Sequence, residues 1–287
     1  MPAALLDREE YIEQAYFFRI CRERTEENTP AQDVLLNLKD EVLATTRLPL
    51  AIDFLLGELS HTGKLGPGMS RLKHYFTAFQ AFVVERAEDE ESRFDMRVGF
   101  QILENEAEYR ASESPTPQGL FVYQFECVSR NRLGYDAGMQ AIAQDPIFDD
   151  DWRTWILKIR RELGTVDFAD LLYLRSQFRV DSVRRRNHNP DYQPSYPILF
   201  GAQEGKIAKA NRGKDPLYMF AALQRQLGYP RVPRPRPSRT RPLFDPHVEL
   251  RFQRLENRLT MLEAEGKSTG VDLSQFYVKP PEDEPPE

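Results

Sequence analysis

The stretch GLFVYQFECV, residues 119–128, decides the fold class of this chain. A short apolar run with three aromatic side chains is compatible with a buried strand, which would make the fold a mixture of helices and strands. Leu120, Tyr123 and Cys127, however, follow one another at helical spacing, and Leu133 continues the same side. We therefore predict a helix here and a mainly α-helical protein.

Helical spacing of apolar residues extends in both directions from this stretch. Predicted helices cover residues 1–27, 30–45, 49–59, 71–91 and 94–111 before it, and 148–163, 166–178 and 216–227 after it. Clusters of Gly, Pro and Ser predict a turn at 62–68 and a loop at 112–119. Residues 184–216 are rich in Pro, Asn, Gly and Arg, so we expect irregular structure with at most a short strand at 197–200.

Four segments follow from this pattern. We predict a multi-helix body over residues 1–229, with a sub-boundary near 112–118 or 144–147. Residues 230–246 form a basic proline-rich linker, because alternating proline excludes helix and central strand. A short heptad helix at 247–265 and an acidic, disordered tail at 266–287 complete the chain.

The composition is that of an ordinary globular protein. The 287 residues are 40% hydrophobic and 29% charged, with a net charge of −6. Two cysteines, Cys21 and Cys127, are too few for a disulfide framework, which favours a reducing compartment. No stretch reaches the ~20 apolar residues of a membrane-spanning helix, and the N-terminus lacks the pattern of a signal peptide. We expect a cytoplasmic protein without a membrane span.

Charge is distributed very unevenly along the chain. Residues 175–241 hold 15 basic and 4 acidic residues, whereas residues 1–174 hold 19 basic and 31 acidic residues. The last segment, 242–287, is acidic again, with 5 basic and 10 acidic residues. The middle of the chain is therefore expected to meet negative charge, either on the chain itself or on a partner.

The basic stretch supplies the predicted anion-binding or partner-binding residues. Guanidinium groups can bind phosphates or carboxylates with two hydrogen bonds, and exposed aromatic rings can stack on nucleic-acid bases. The alternative is that these cations pair with the acidic body of residues 1–174. The set consists of Arg184, Arg185, Arg186, Tyr192, Tyr196, Lys206, Lys209, Arg212, Lys214, Arg231, Arg234 and Arg236.

A second predicted site is a surface for self-association. Apolar residues at 247–265 step by four and three positions, which is the a/d pattern of a coiled coil. The stripe lasts only about two heptads, so docking on the chain's own body is the alternative to a homodimer. The stripe consists of Val248, Phe252, Leu255, Leu259 and Leu262.

The remaining motifs give weaker evidence for a functional site. HTGKLGPG at 61–68 lacks the spacing of a phosphate-binding loop. The histidines and cysteines share no metal-ligand spacing, so we predict no metal and no cofactor. Cys127 is more simply a core thiol than a nucleophile, and residues 149–151 more simply cap a helix than bind a cation. Glu126 lies in an apolar run, where burial would raise its pKa.

Together these patterns favour a non-enzymatic interaction or scaffold protein inside the cell. Its basic surface would engage an acidic protein surface, and its heptad helix would support assembly. A nucleic-acid-binding protein that uses the same basic stretch is the second hypothesis. An enzyme of unknown chemistry is the third, because no catalytic constellation stands at diagnostic spacing.

Overall fold

The computed structural model describes residues 6–89, 92, 94–162, 164 and 166–234. Within these residues the chain is helical and contains no strand, which confirms the predicted mainly α fold. The helices are α1 (Arg8–Glu26), α2 (Ala31–Glu41), α3 (Leu48–Thr62), α4 (Gly66–Arg71), α5 (Ala78–Glu88), α6 (Met96–Ala111), α7 (Pro117–Arg130), α8 (Tyr135–Ala143), α9 (Asp150–Glu162), α10 (Phe168–Leu174), α11 (Gln177–Arg186), α12 (Ala202–Ala210) and α13 (Pro216–Leu227).

The stretch 119–128 forms the interior of α7, and every one of its residues is buried. The helix begins where Thr116 accepts a hydrogen bond from Gly119 N, with Pro117 in the first turn. Phe121 lies among the rings of Phe148, Trp152, Trp155, Phe168 and Phe200. Helix α7 is therefore covered on all sides, which explains why its sequence lacks a polar face.

The other helices surround α7 as two groups. Helix α1 runs antiparallel to α6, since Arg8 Nε donates to Ala111 O (2.8 Å) and Arg22 pairs with Glu104 (3.0 Å). The α2–α3 hairpin packs beside α1, while α8 packs on α5, α7 and α9. Helices α10 to α13 form the second group and contact α7 through α13 and through Phe168 of α10.

One predicted helix starts at the wrong residue. The helix predicted over 71–91 begins at Ala78, because Thr77 and Gln80 form a reciprocal capping box. Ser70, directly before the predicted start and therefore its expected cap, lies in α4, which overlaps the predicted turn at 62–68, and its hydroxyl donates to Glu85 Oε1 (2.5 Å). Helix α8 was not predicted.

The predicted helix over 166–178 is two helices. The chain breaks at Arg175–Ser176 because backbone groups there bind a distant segment: Leu199 N donates to Arg175 O, and Gln177 N donates to Phe200 O. The predicted strand at 197–200 is reduced to a single bridge between Ser176 and Phe200. Helix α12 lies inside the region predicted to be irregular.

Residues 229–234 contain neither helix nor strand, as the prolines indicate. Their backbone is held on the body, since Asn105 Nδ2 donates to Arg231 O (3.2 Å) and Asn131 Nδ2 donates to Pro233 O (3.3 Å). The predicted heptad stripe at 247–265, the tail and Arg236 lie outside the described residues.

A buried ionic cluster joins α6, α7 and the segment between α8 and α9. Arg110 contacts Glu106 (3.0 Å) and Asp145, and Gln124 Nε2 donates to the same two carboxylates at 2.7 and 3.1 Å. The side chains of Glu106 and Asp145 are fully shielded from solvent. Burial raises the pKa of Glu106, although Arg110 and Gln124 partly oppose the shift.

We expect Arg110→Ala to destabilise the protein severely. The variant leaves two buried carboxylates without their cation, which typically costs ~3–5 kcal/mol. Urea unfolding at neutral pH measures the loss. Arg97→Ala is the matched control, because Arg97 pairs with Asp95 at the surface and such pairs contribute about 0–1 kcal/mol. Equal losses in the two variants would contradict the role of the cluster.

Glu106→Gln tests the proton linkage of the same cluster. Because the folded-state pKa of Glu106 is raised above its ordinary value of 4.5, the folded protein binds the extra proton, and this stabilisation is lost as pH rises through the folded pKa. The amide of the variant cannot titrate, so the free energy of unfolding should fall less above pH 4.5 in the variant than in the wild type. The difference can reach about 1.4 kcal/mol per pH unit. Glu113→Gln, at an exposed position outside the cluster, is the matched control.

Candidate functional site

The irregular segment 187–199 folds back along α11, and arginine side chains hold it there. Arg184 Nε donates to Tyr192 O (2.9 Å), and Arg179 Nε donates to Tyr196 Oη (3.1 Å). The guanidinium of Arg175 lies over the ring of Tyr196, 4.9 Å from its centroid. Part of the basic stretch is thus architectural, because these arginines fix a loop that has no secondary structure of its own.

A second set of cations stacks on aromatic rings where α10, α11 and α12 meet. Arg212 lies over the ring of Tyr173 at 4.1 Å and pairs with Asp170 at 2.5 Å. Lys209 lies over the ring of Phe178 at 5.6 Å. Such contacts contribute about 0.5–1 kcal/mol each at exposed sites, and they orient the cations relative to the helices.

Gly205 sets the distance between α12 and α11. A Cβ atom at this position would overlap Ser176 Oγ and would lie 2.8 Å from Phe178 Cβ. The two helices can therefore approach closely only because residue 205 has no side chain. Lys209 of α12 lies over Phe178 near the start of α11, while Arg185 and Arg186 lie at the other end of that helix.

Few of the described cations of the predicted set are paired with carboxylates. Among the described residues, only two of the predicted basic residues form ion pairs within 4.0 Å: Arg184 with Asp181 (3.7 Å) and Arg212 with Asp170. Only Asp170 belongs to the acidic segment 1–174. We call the other exposed members on and beside α11 and α12 the basic face; they are Arg185, Arg186, Lys206, Lys209 and Lys214.

An open cavity of 780 Å³ lies at the end of α11. It is lined by Asp181, Arg184, Arg185, His188 and Pro190. Arg185 Nε donates to Asp181 O (3.3 Å), which leaves the terminal nitrogens of the guanidinium for other acceptors. His188 follows the helix with φ of +48°, a conformation in which glycine is usual.

The predicted residues Arg231 and Arg234 belong to a different place in the fold. Both are exposed, on the segment that binds α6 and α7 rather than α10 to α12. Tyr229 anchors this segment, since its hydroxyl donates to Glu126 Oε2 (2.9 Å) and lies 3.0 Å from Phe220 O. Burial raises the pKa of Glu126 above its ordinary value, and the hydrogen bond from Tyr229 and the positive charge of Arg234 offset only part of this rise.

The weaker sequence candidates have structural roles. Asp149 Oδ1 accepts a hydrogen bond from Trp152 N (2.9 Å) at the start of α9, which is a capping contact. Cys127 is fully buried, and desolvation raises the pKa of its thiol, which disfavours the nucleophilic thiolate. The described part of the chain contains no group of three or more His, Cys, Asp or Glu residues that could hold a metal ion.

The predicted site residues did not include Tyr173, Phe178, Arg175 and Arg179. In the structure these four residues take part in the contacts between cations and aromatic rings. Their order in YLRSQFR, residues 173–179, alternates rings with arginines and could have drawn attention. Their convergence depends on the break between α10 and α11 and on the return of the loop, which a local pattern does not encode.

Comparison with known proteins adds no information about this site. No protein-family model, no curated protein and no solved structure matches the chain. A search of the described helices for one that is long and apolar enough to cross a membrane finds none.

Gly205→Ala should destabilise the protein by ~1–3 kcal/mol, because the added methyl group overpacks the contact between α11 and α12. Urea unfolding measures the change. Gly57→Ala is the matched control, since Gly57 lies in α3 and a Cβ atom there would meet nothing within 4 Å. The control should stabilise by about 0.4–1 kcal/mol. A neutral Gly205→Ala would show that α12 does not require the close approach.

Proposed function

We propose that this protein is a non-enzymatic interaction protein whose basic face binds an acidic surface of a protein partner. The observation that carries the proposal is that the five cations of the basic face stand without a carboxylate within 4.0 Å among the described residues. Cations that face solvent in a cluster repel one another, and an acidic partner relieves this repulsion. The low cysteine count supports a cytoplasmic location, and self-association through the heptad stripe remains part of the proposal.

The elements that carry the basic face are firmly held. Arg184 anchors the loop after α11, and Gly205 allows α12 to pack against α11. Because the helix backbones are fixed before a partner arrives, only the lysine and arginine side chains must be ordered on binding, which limits the entropic cost. The fixed helices also determine which positions carry positive charge, and this favours specificity.

A nucleic acid is the second candidate, and the aromatic contacts argue against one form of it. Tyr196 and Phe178 already lie under Arg175 and Lys209, so their rings are not open platforms for bases. Stacking on aromatic rings is a main source of affinity for single strands. The observation that favours a duplex is that Arg185, Arg186 and Lys206 are exposed and form no ion pair within 4.0 Å among the described residues, so they could contact phosphates without any stacking.

The test replaces Arg185, Arg186 and Lys206 by Glu and measures binding by fluorescence anisotropy. The probes are a glutamate-rich peptide, a duplex of about 20 base pairs and a single strand of the same length. We expect the wild type to bind the peptide most tightly and the variant to lose about tenfold or more in affinity. The matched control replaces Lys64, Lys73 and Arg161 by Glu, which changes the net charge equally at other exposed positions.

The salt dependence separates the two candidates. Duplex binding stronger than peptide binding, with a slope of log affinity against log salt of about −0.9 per phosphate contact, would replace the proposal by the nucleic-acid function. Absence of binding to all three probes at low salt would refute both. Equal losses in the variant and the control would show that net charge alone, rather than the basic face, attracts the probe.

A further inference from the structure

Large apolar side chains are exposed on the α2–α3 hairpin. Leu36, Leu43 and Leu50 are 55%, 56% and 72% exposed, and Phe54 is 36% exposed. Single exposed leucines are normal, but grouped apolar residues on one face typically mark a binding surface. We call these four residues the α2–α3 face.

Three of the four residues lie on the sides of α2 and α3 that face each other across an ion pair. Lys39 Nζ of α2 pairs with Asp53 Oδ1 of α3 at 2.7 Å, and Leu36 and Leu50 each stand three positions before a member of this pair. Leu50 and Phe54 stand four positions apart and therefore lie on one side of α3. Leu36 lies in α2, and Leu43 follows the end of that helix in the short connection to α3.

These four side chains do not serve the core. The opposite sides of the two helices supply the buried residues Leu35, Leu38, Ile52 and Leu55. The α2–α3 face is therefore apolar surface in excess of what the packing of the hairpin requires.

Acidic side chains border this face. Glu13, Asp33, Asp40 and Glu41 form no ion pair within 4.0 Å among the residues that the structure describes. Glu13 accepts from Leu43 N (2.9 Å), and Glu41 accepts from Tyr16 Oη (3.0 Å). The cations of the hairpin, Lys39 and Arg47, are already paired with Asp53 and Glu10.

The sign of this charge decides between the possible occupants. A second copy of the same face would bring like charges together, and an anionic membrane surface would be repelled in the same way. A helix with an apolar stripe and flanking lysines or arginines would cover the exposed apolar residues and would place its cations beside the carboxylates. We propose that the α2–α3 face is a docking site for a basic amphipathic helix of a partner protein.

A labelled protein tests the site directly. Gly57→Cys places one accessible thiol on α3, three residues beyond Phe54, while Cys21 and Cys127 are buried and do not react. The thiol carries an environment-sensitive dye. The probe is a helical peptide of about 18 residues with leucines at i, i+3, i+4 and i+7 and lysines beside them. A second peptide has glutamates in place of the lysines.

We expect a saturable dye response to the lysine peptide and none to the glutamate peptide. Leu36→Ser with Leu50→Ser should reduce affinity about tenfold or more. Asp33→Asn with Asp40→Asn should reduce affinity less but flatten its salt dependence, because exposed charges are screened by salt. Leu217→Ser with Tyr218→Ser, two exposed apolar residues of α13, is the control and should leave binding unchanged.

Three results would overturn the proposal. The first is no response to the lysine peptide at low salt, and the second is an equal response to the glutamate peptide. The third is a dimer in light scattering that Leu36→Ser with Leu50→Ser converts to a monomer, which would assign the face to a second copy. The labelled Gly57→Cys protein without further substitutions, compared with the two peptides, keeps the test valid even if a variant of the face is unstable.

Discussion

The burial of α7 on all sides is the constraint on which the rest of the structure depends. A helix without a polar face cannot stand at a surface, so α6, α8, α13 and the aromatic residues of α9 must cover it. The helices that cover α7 also enclose polar side chains, and these form the buried ionic cluster around Arg110. Gln124, from α7 itself, donates to both carboxylates of that cluster.

This arrangement separates the charges that specify the fold from those available to partners. Arg110, Glu106 and Asp145 are desolvated, so their mutual contacts are strong and the loss of one partner is costly. The basic face and the acidic border of α2–α3 are solvated, so they contribute little to folding. Their unpaired state has a small energetic cost in the free protein, and it leaves them free to bind a complementary surface.

Much of the fold could be predicted from the sequence, because helix spacing and caps are local. The spacing of Leu120, Tyr123 and Cys127 correctly predicts α7 as a helix rather than a strand. The start of α5 was also readable: Thr77 and Gln80 fit the capping-box pattern, whereas Ser70 lacks an acidic or amide partner three residues later. Helix α12 was obscured by the prolines, asparagines and glycines on either side of its helix-forming residues.

The candidate site could be predicted only in part, because its geometry arises from distant contacts. The charge counts identify Arg185, Arg186 and Lys206 as an unusual concentration of positive charge, and the structure leaves them unpaired with carboxylates. The counts cannot show that Arg175, Arg179 and Arg184 hold the loop, since those contacts require the chain to return to α11 from residues up to 22 positions away. The α2–α3 face escaped notice for a related reason: whether a leucine is buried or exposed depends on which side of its helix meets the core.

The two proposed surfaces have opposite signs and belong to different helices, and this difference has a thermodynamic consequence. The basic face lies on α11, α12 and the turn that follows α12, whereas the α2–α3 face lies on the other group of helices, and none of the contacts between described helices joins α2 or α3 directly to α11 or α12 at three or more residue pairs. Changes at independent sites add in free energy. Under the two proposals, an acidic partner and a basic helix therefore do not compete for a contact. Any coupling between them must come from a change in the buried core that both groups of helices share, because α6 and α7 connect them.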